Sequence, residues 1–424
     1  MEKLVIEGGY KLEGEVSISG SKNAVLPVLA ATLLAKGEFR IGNVPRLKDV
    51  ETMMELLKLL GCEVEWIDTR MLRVDTSRAE NYVAPYDVVK KMRASVLVMG
   101  SLVGRLRRAV VSYPGGCAIG VRPIDMHLEG LKKMGCDVEL KGGYVDVNAQ
   151  KIRGAKISFK TKTVGGTENL MMASVCAPGE TILENAAREP EVVDLARMLK
   201  KMGAKIEGEG TDVIRIEGVS ELHPCDYEVI PDRIEAGTYL VACGITGGEV
   251  IIKGCIPEHL RSVIEKLREA GMEIVEKDGE LLSRMRRKRP IACSVSTMPY
   301  PHFPTDMQAQ FMAFMCVANG ISRITENIFE NRMLHVAELK RMGADIELSG
   351  RTAVVRGVKS LSGAKVMASD LRASASLVLA GLRCEGVTEV LRIYHLDRGY
   401  ERIEEKLKKL GAKIERVEDE DMGA

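Results

Sequence analysis

Leu57-Lys58-Leu59-Leu60-Gly61-Cys62-Glu63-Val64 reads as the end of a helix followed by the start of a strand. A lysine in the last turn suits the negative end of the helix dipole. The glycine suits the left-handed residue that closes a helix, and the alternation after it suits a half-buried strand. The same Leu-basic-x-apolar-Gly pattern returns at 131–135, 199–203, 339–343 and 407–411, and more loosely at 267–271. The six glycines stand at 61, 135, 203, 271, 343 and 411, so their separations are 74, 68, 68, 72 and 68. A recurrence this regular is an internal repeat.

The rest of the repeat follows from the same reading. A short strand comes first (14–19, 155–159, 364–368), then an apolar helix (24–34, 168–177, 373–381), then a second strand (38–42, 180–185, 388–392). The capped helix and a final strand complete a βαβαβ-type unit. Six such α/β units predict two domains of three, with the Ala-, Leu-, Val- and Met-rich helices inside and the sheets outside.

Of 424 residues, 46% are hydrophobic and 29% charged, with 61 basic against 60 acidic. So even a balance argues against a broad nucleic-acid surface. The ten cysteines form no dense framework, which favours buried thiols; Cys62 and Cys136, each after a helix-ending glycine, read as small hydrophobes. The first ten residues lack the apolar core of a secretory signal, and apolar runs such as 24–34 are too short to span a bilayer. A cytoplasmic protein with no membrane contact and no obligatory protein partner is expected, its acidic end at 418–421 solvated.

Ligand sites in α/β units gather where strands give way to helices, because helix N-termini present free N–H groups. Several of these junctions carry a cation: Lys22, Arg93 and Arg372 at first helices, Arg122, Arg332 and Arg398 at second ones. For Asp at such places, as at Asp232, Asp306 and Asp370, plain N-capping is at least as good a reading as a ligand role, but cations are disfavoured there. A ligand with several phosphates or carboxylates fits this set. The run Tyr113-Pro114-Gly115-Gly116-Cys117-Ala118-Ile119-Gly120-Val121-Arg122-Pro123 holds one thiol among three glycines and two prolines. It reads as a mobile loop carrying a reactive Cys117, suited to a lid; an incidental surface thiol is the plain alternative. A Cys117/His127 pair rests on sequence proximity alone. Zinc motifs are absent, as are the dinucleotide and Walker patterns, so no metal and no cofactor is expected.

Seven motifs then resemble the enolpyruvyl transferase family, specifically the UDP-N-acetylglucosamine 1-carboxyvinyltransferases: Ser19–Ala24, Met92–Ser95, Pro114–Gly120, Glu184–Glu191, Phe303–Gln310, Asp370–Ala375 and Asp397–Arg402. The resemblance runs nearly the whole length. It implies two inside-out α/β barrel domains, 22–230 and 1–21 plus 231–424, with the active site in the cleft between them. It implies transfer of the enolpyruvyl group of phosphoenolpyruvate to the 3′-hydroxyl of UDP-N-acetylglucosamine, opening peptidoglycan precursor synthesis. Lys22, Asn23, Arg122 and Arg398 match phosphoenolpyruvate-binding positions. Asn23, Arg93, Arg122, Pro123, Ile124, Asp125 and Met126 match sugar-nucleotide positions, as do Thr161, Lys162, Thr163, Val164, Asp306 and Ile328. Cys117, Asp306, Lys22 and Arg398 match the catalytic set, with Cys117 also the site of a covalent adduct and of fosfomycin attack. Glu189, Asp232, Arg332, Asp370 and Arg372 are expected in support. The loop 160–164 matches the family loosely, leaving open which lysine reaches the nucleotide. The related shikimate-pathway transferase lacks the Cys117 loop, and a non-catalytic sugar-nucleotide sensor would not need Cys117, Asp306, Lys22 and Arg398 together.

Overall fold

All six signature glycines have positive φ: 98° at Gly61, 86° at Gly135, 105° at Gly203, 98° at Gly271, 88° at Gly343 and 97° at Gly411 in the computed structural model. The structure describes residues 2–114, 119–120 and 123–419. After each glycine the next amide reaches back to the leucine five residues earlier. Examples are Cys62 N to Leu57 O at 3.0 Å, Ala204 N to Leu199 O at 2.9 Å and Ala412 N to Leu407 O at 3.0 Å. This is the Schellman closure, which satisfies carbonyls that the last helical turn leaves open.

Among the described residues the strands form six four-stranded sheets of one design. The first strand of a repeat lies parallel to the second. The second lies antiparallel to the last, which in turn pairs antiparallel with the strand before it. Five of the six repeats thus end in a hairpin and carry one strand more than the five-element reading, for example Glu63–Trp66 followed by Leu72–Asp75, whereas in the last one Glu2–Glu7 takes the place of the closing strand. The first helices start two to four residues earlier than expected, at Lys22, Val164 and Leu371, because Ser21, Thr163 and Asp370 cap them.

Contacts divide the described residues into two units. In the unit of 20–230, Asp226–Glu228, from its far end in sequence, lies parallel to Glu38–Gly42. Its central helices are Lys22–Ala31, Val98–Leu106 and Val164–Ser174, and the second packs on both others. A Cβ on Gly100 would lie 2.1 Å from the Asn169 carbonyl, so only glycine allows that approach.

The other unit comprises residues 2–19 and 231–419, together with Ile119 and Gly120. Here Glu13–Ser17 lies parallel to Glu249–Lys253, and Glu2–Glu7 sits between Val387–Leu391 and Lys413–Glu418. The strand read at 14–19 therefore belongs with 249–253, not with 38–42. Three helices, Arg233–Thr246, Gln308–Met315 and Leu371–Arg383, contact one another; every residue of the first two is buried. Their low polarity is explained by this central place, and each buried Leu or Phe contributes about 2 kcal/mol. The acidic end is not wholly solvated: Asp419 is buried and pairs with Lys3 at 3.5 Å. Among the described residues no helix is long and apolar enough to cross a membrane.

Candidate active site

In the unit of 20–230, Ser21 caps the helix and Lys22 opens it. Lys22 Nζ lies 3.1 Å from Oδ2 of Asp49, a nearly fully buried carboxylate in the first turn of Lys48–Leu59. Asp49 does not stand out in the sequence, because an acid in a first helical turn already satisfies the dipole. Asn23 follows Lys22 on the same turn. Arg93 begins a 3-10 turn, Arg93–Leu97, and its charge acts on His127. Burial first, and the Arg93 charge second, push His127 down to about 4. Asn169 Nδ2 donates to His127 Nδ1 at 3.0 Å. A buried, neutral His127 held in this way serves packing, and the proximity pairing with Cys117 gains nothing from it.

Cys117 and Arg122 lie outside the described residues. Pro123 and Asp125 are exposed, Ile124 is buried and Met126 half-buried. Thr161 Oγ1 lies 3.8 Å from Met126 Sδ, so the structure joins two stretches that the family resemblance pairs. Thr163 caps Val164–Ser174 by accepting from Gly166 N at 3.1 Å. Lys162 is engaged with Asp212 and with the Ala186 carbonyl, whereas Lys160 extends into solvent beside Glu129 at 3.2 Å. Glu189 faces a second residue absent from the expected set. Glu168 is fully buried, and burial, then Glu191 and Glu189, drive its carboxyl well above the usual range.

The unit that contains 231–419 builds a tighter constellation. Asp306 lies on the 3-10 turn Thr305–Met307. Its Oδ1 accepts from Arg332 Nη2 at 2.7 Å and its Oδ2 from Arg372 Nη2 at 3.1 Å. Burial works against the charge on Arg372, but Asp306, with Tyr400 and Asp232, more than offsets it, so the guanidinium binds its proton above the ordinary value. The Tyr400 ring lies 5.4 Å from that guanidinium. Gln310 Nε2 donates to the Asp306 carbonyl at 2.8 Å and to the Tyr400 hydroxyl at 3.2 Å. Asp232 and Asp370 both serve as caps, accepting from Ile234 and Glu235 amides and from Arg372 and Ala373 amides. Capping was the plain reading of both, and their charges still act on Arg372 and His335. Arg398 ends the turn Ile393–Arg398 and, after burial, lowers the neighbouring His395. The Ile328 amide donates to Glu326 at 2.9 Å. Asn331 N donates to the Ile119 carbonyl at 3.1 Å.

Three of the six expected cations are therefore engaged with carboxylates: Lys22 with Asp49, and Arg332 and Arg372 with Asp306. Two buried guanidinium groups thus fix the orientation of the Asp306 carboxylate.

The EPSP synthase (3-phosphoshikimate 1-carboxyvinyltransferase) family model matches residues 6–407. A UDP-N-acetylglucosamine 1-carboxyvinyltransferase of Nitratidesulfovibrio vulgaris (strain DP4) is 60% identical, over 98% of this chain and 99% of its own length. One from Geobacter metallireducens is 58% identical over 99% of this chain and all of its own. Among solved structures, the enolpyruvyl transferase NikO from Streptomyces tendae superposes with a TM-score of 0.89 at 26% identity, covering 98% of this chain and 99% of that one. An EPSP synthase from Acinetobacter baumannii shares the fold at a TM-score of 0.77 and 19% identity, over 99% of this chain and all of its own.

Proposed function

The chain belongs to the EPSP synthase family and, within it, to the UDP-N-acetylglucosamine 1-carboxyvinyltransferases, and from that premise we propose how its residues carry the reaction. It transfers the enolpyruvyl group of phosphoenolpyruvate to the 3′-hydroxyl of UDP-N-acetylglucosamine and releases phosphate. The observation that carries the assignment of the base is the Asp306 carboxylate gripped by Arg332 and Arg372.

Lys22, Asn23, Arg122 and Arg398 bind phosphoenolpyruvate, the basic groups matching its phosphate and carboxylate. Arg93, the run 122–126, the loop 161–164 and Ile328 receive the sugar nucleotide. Cys117 gives a proton to the methylene carbon, which leaves positive charge on the adjacent carbon. The 3′-oxygen bonds to that carbon while Asp306 takes the hydroxyl proton. The resulting tetrahedral adduct returns one proton of the newly formed methyl group to the Cys117 thiolate as its carbon–oxygen bond to phosphate breaks, and Lys22 with the arginines stabilises the departing charge. Cys117 can also add to phosphoenolpyruvate covalently. Glu189, Asp232, Asp370, Arg332 and Arg372 hold this machinery in place. The reaction belongs to peptidoglycan precursor synthesis in the cytoplasm.

Phosphate release tests this reading. It is expected to require both substrates, to fall at least about a hundredfold in Asp306→Ala and Cys117→Ser, and to stop when fosfomycin modifies the Cys117 peptide. Unchanged rates in both variants would defeat the residue assignment.

A further inference from the structure

Glu326 follows the strand Ile321–Thr325. It is buried, 1% exposed, yet the carboxylate meets four donors. Thr297 Oγ1 donates to its Oε1 at 2.8 Å and Thr305 Oγ1 to its Oε2 at 2.9 Å. The amides of Ile328 and Phe329 donate to Oε1 at 2.9 and 3.2 Å. Such a group is costly to bury unless it is this well satisfied, and its contacts lead directly to the proposed base.

The Thr305 hydroxyl has one hydrogen and two lone pairs. Because the hydrogen goes to Glu326, a lone pair is turned toward Arg332, whose Nη1 donates to it at 2.9 Å. The other nitrogen of the same guanidinium, Nη2, holds Asp306 Oδ1 at 2.7 Å. Arg332 is thereby fixed at both ends of a rigid fork. Its backbone is held as well, since Gln308 Nε2 donates to the Arg332 carbonyl at 3.3 Å.

We infer that Glu326 is a positioning residue of the transfer reaction. Through Thr305 and Arg332 it fixes the orientation of Asp306, and through the Ile328 and Phe329 amides it shapes the loop that receives the sugar nucleotide. The inference rests on the function proposed above and adds to it a residue outside the matched set. One buried carboxylate thus couples the base to the acceptor it deprotonates.

A glutamine cannot do both jobs. With its amide nitrogen toward Thr305, that hydroxyl must accept from the amide as well as from Arg332, and its hydrogen loses the carboxylate acceptor that orients it. With the nitrogen reversed, the Ile328 and Phe329 amides face a donor instead. Steady-state kinetics of the full chain, with phosphate release as the readout, tests the coupling in Glu326→Gln, Thr305→Val and the double variant, each checked for folding by thermal melting. Both single variants are expected to lose about tenfold or more in kcat while the KM for phosphoenolpyruvate stays within about twofold. Only Glu326→Gln should also raise the KM for UDP-N-acetylglucosamine. The kcat of the double variant should match that of Glu326→Gln, because both substitutions cut one chain of contacts.

Wild-type kcat in a folded Glu326→Gln or Thr305→Val protein would overturn the inference, as would losses that multiply in the double variant. Should Glu326→Gln fail to fold, Thr305→Val decides alone by the same criterion. A wild-type protein that released no phosphate with both substrates would instead refute the function itself.

Discussion

At the scale of single residues, sequence and structure differ most in what the cations do. Lys22, Arg332 and Arg372 were legible as unusual because they stand where helix starts disfavour positive charge. Asp306, the partner of both arginines, was legible from its motif, but Asp49 and Glu326 were not, since they look like an ordinary first-turn acid and a strand-end acid. Only folding shows that Asp49 meets Lys22 at 3.1 Å and that Glu326 meets Thr305. Thiols behave as expected where they are described: burial pushes Cys62 up to about 12 and Cys136 up to about 11, as small core residues rather than nucleophiles. His127 gives a pH prediction. Its folded value of about 4 lies below the ordinary 6.5, so the unfolded chain takes up a proton first as pH falls. The stability that His127 contributes is complete above about 6.5 and is lost between there and about 4, amounting to about 3 kcal/mol. Denaturant unfolding across that range should show a shallower acid loss in His127→Gln than in the wild type; equal slopes would mean the ring is not held neutral.

Among elements, the helix endings were the most legible feature, because glycine in the left-handed region is dictated by backbone sterics and repeats wherever the same closure is needed. The closing hairpins were less legible. Their strands are three to five residues long and pair with a partner across a short turn, so the alternation that marks one strand blurs into the next. The left-handed residue after the second strand was not foreseen: Asn43 and Asn185 both have φ of 54°. Their side chains donate to Val229 O at 2.8 Å and Phe159 O at 3.0 Å, which ties each junction to the strand beside it. A graded test exists at the capping glycines. At Gly343 a Cβ would meet nothing within 4 Å, whereas at Gly61 it would lie 2.8 Å from the Arg78 carbonyl oxygen. Gly343→Ala is therefore expected to cost about 1–2 kcal/mol from its φ alone, and Gly61→Ala more. Equal losses in chemical denaturation would show that the carbonyl contact is relieved at no cost.

For the whole molecule, a single fact organises both units: each is closed by a strand from a distant part of the sequence. Asp226–Glu228 completes the sheet of Glu38–Gly42, and Glu2–Glu7 fills the space between Val387–Leu391 and Lys413–Glu418. Pairing across so long a separation leaves no mark on local periodicity, so it came from family resemblance and not from the residues. Removing residues 1–9 is expected to accelerate amide exchange at least about tenfold in 387–391 and 413–418, with the sheet of Glu38–Gly42 unaffected. Uniform exchange in the two proteins would show that the strand is dispensable. The central claim concerns the chemistry, and mass analysis of the sugar nucleotide after reaction tests it most directly. UDP-N-acetylglucosamine incubated with phosphoenolpyruvate and the protein should gain the mass of one enolpyruvyl group for each phosphate released. An unaltered sugar nucleotide, or the same gain on shikimate 3-phosphate instead, would contradict the account.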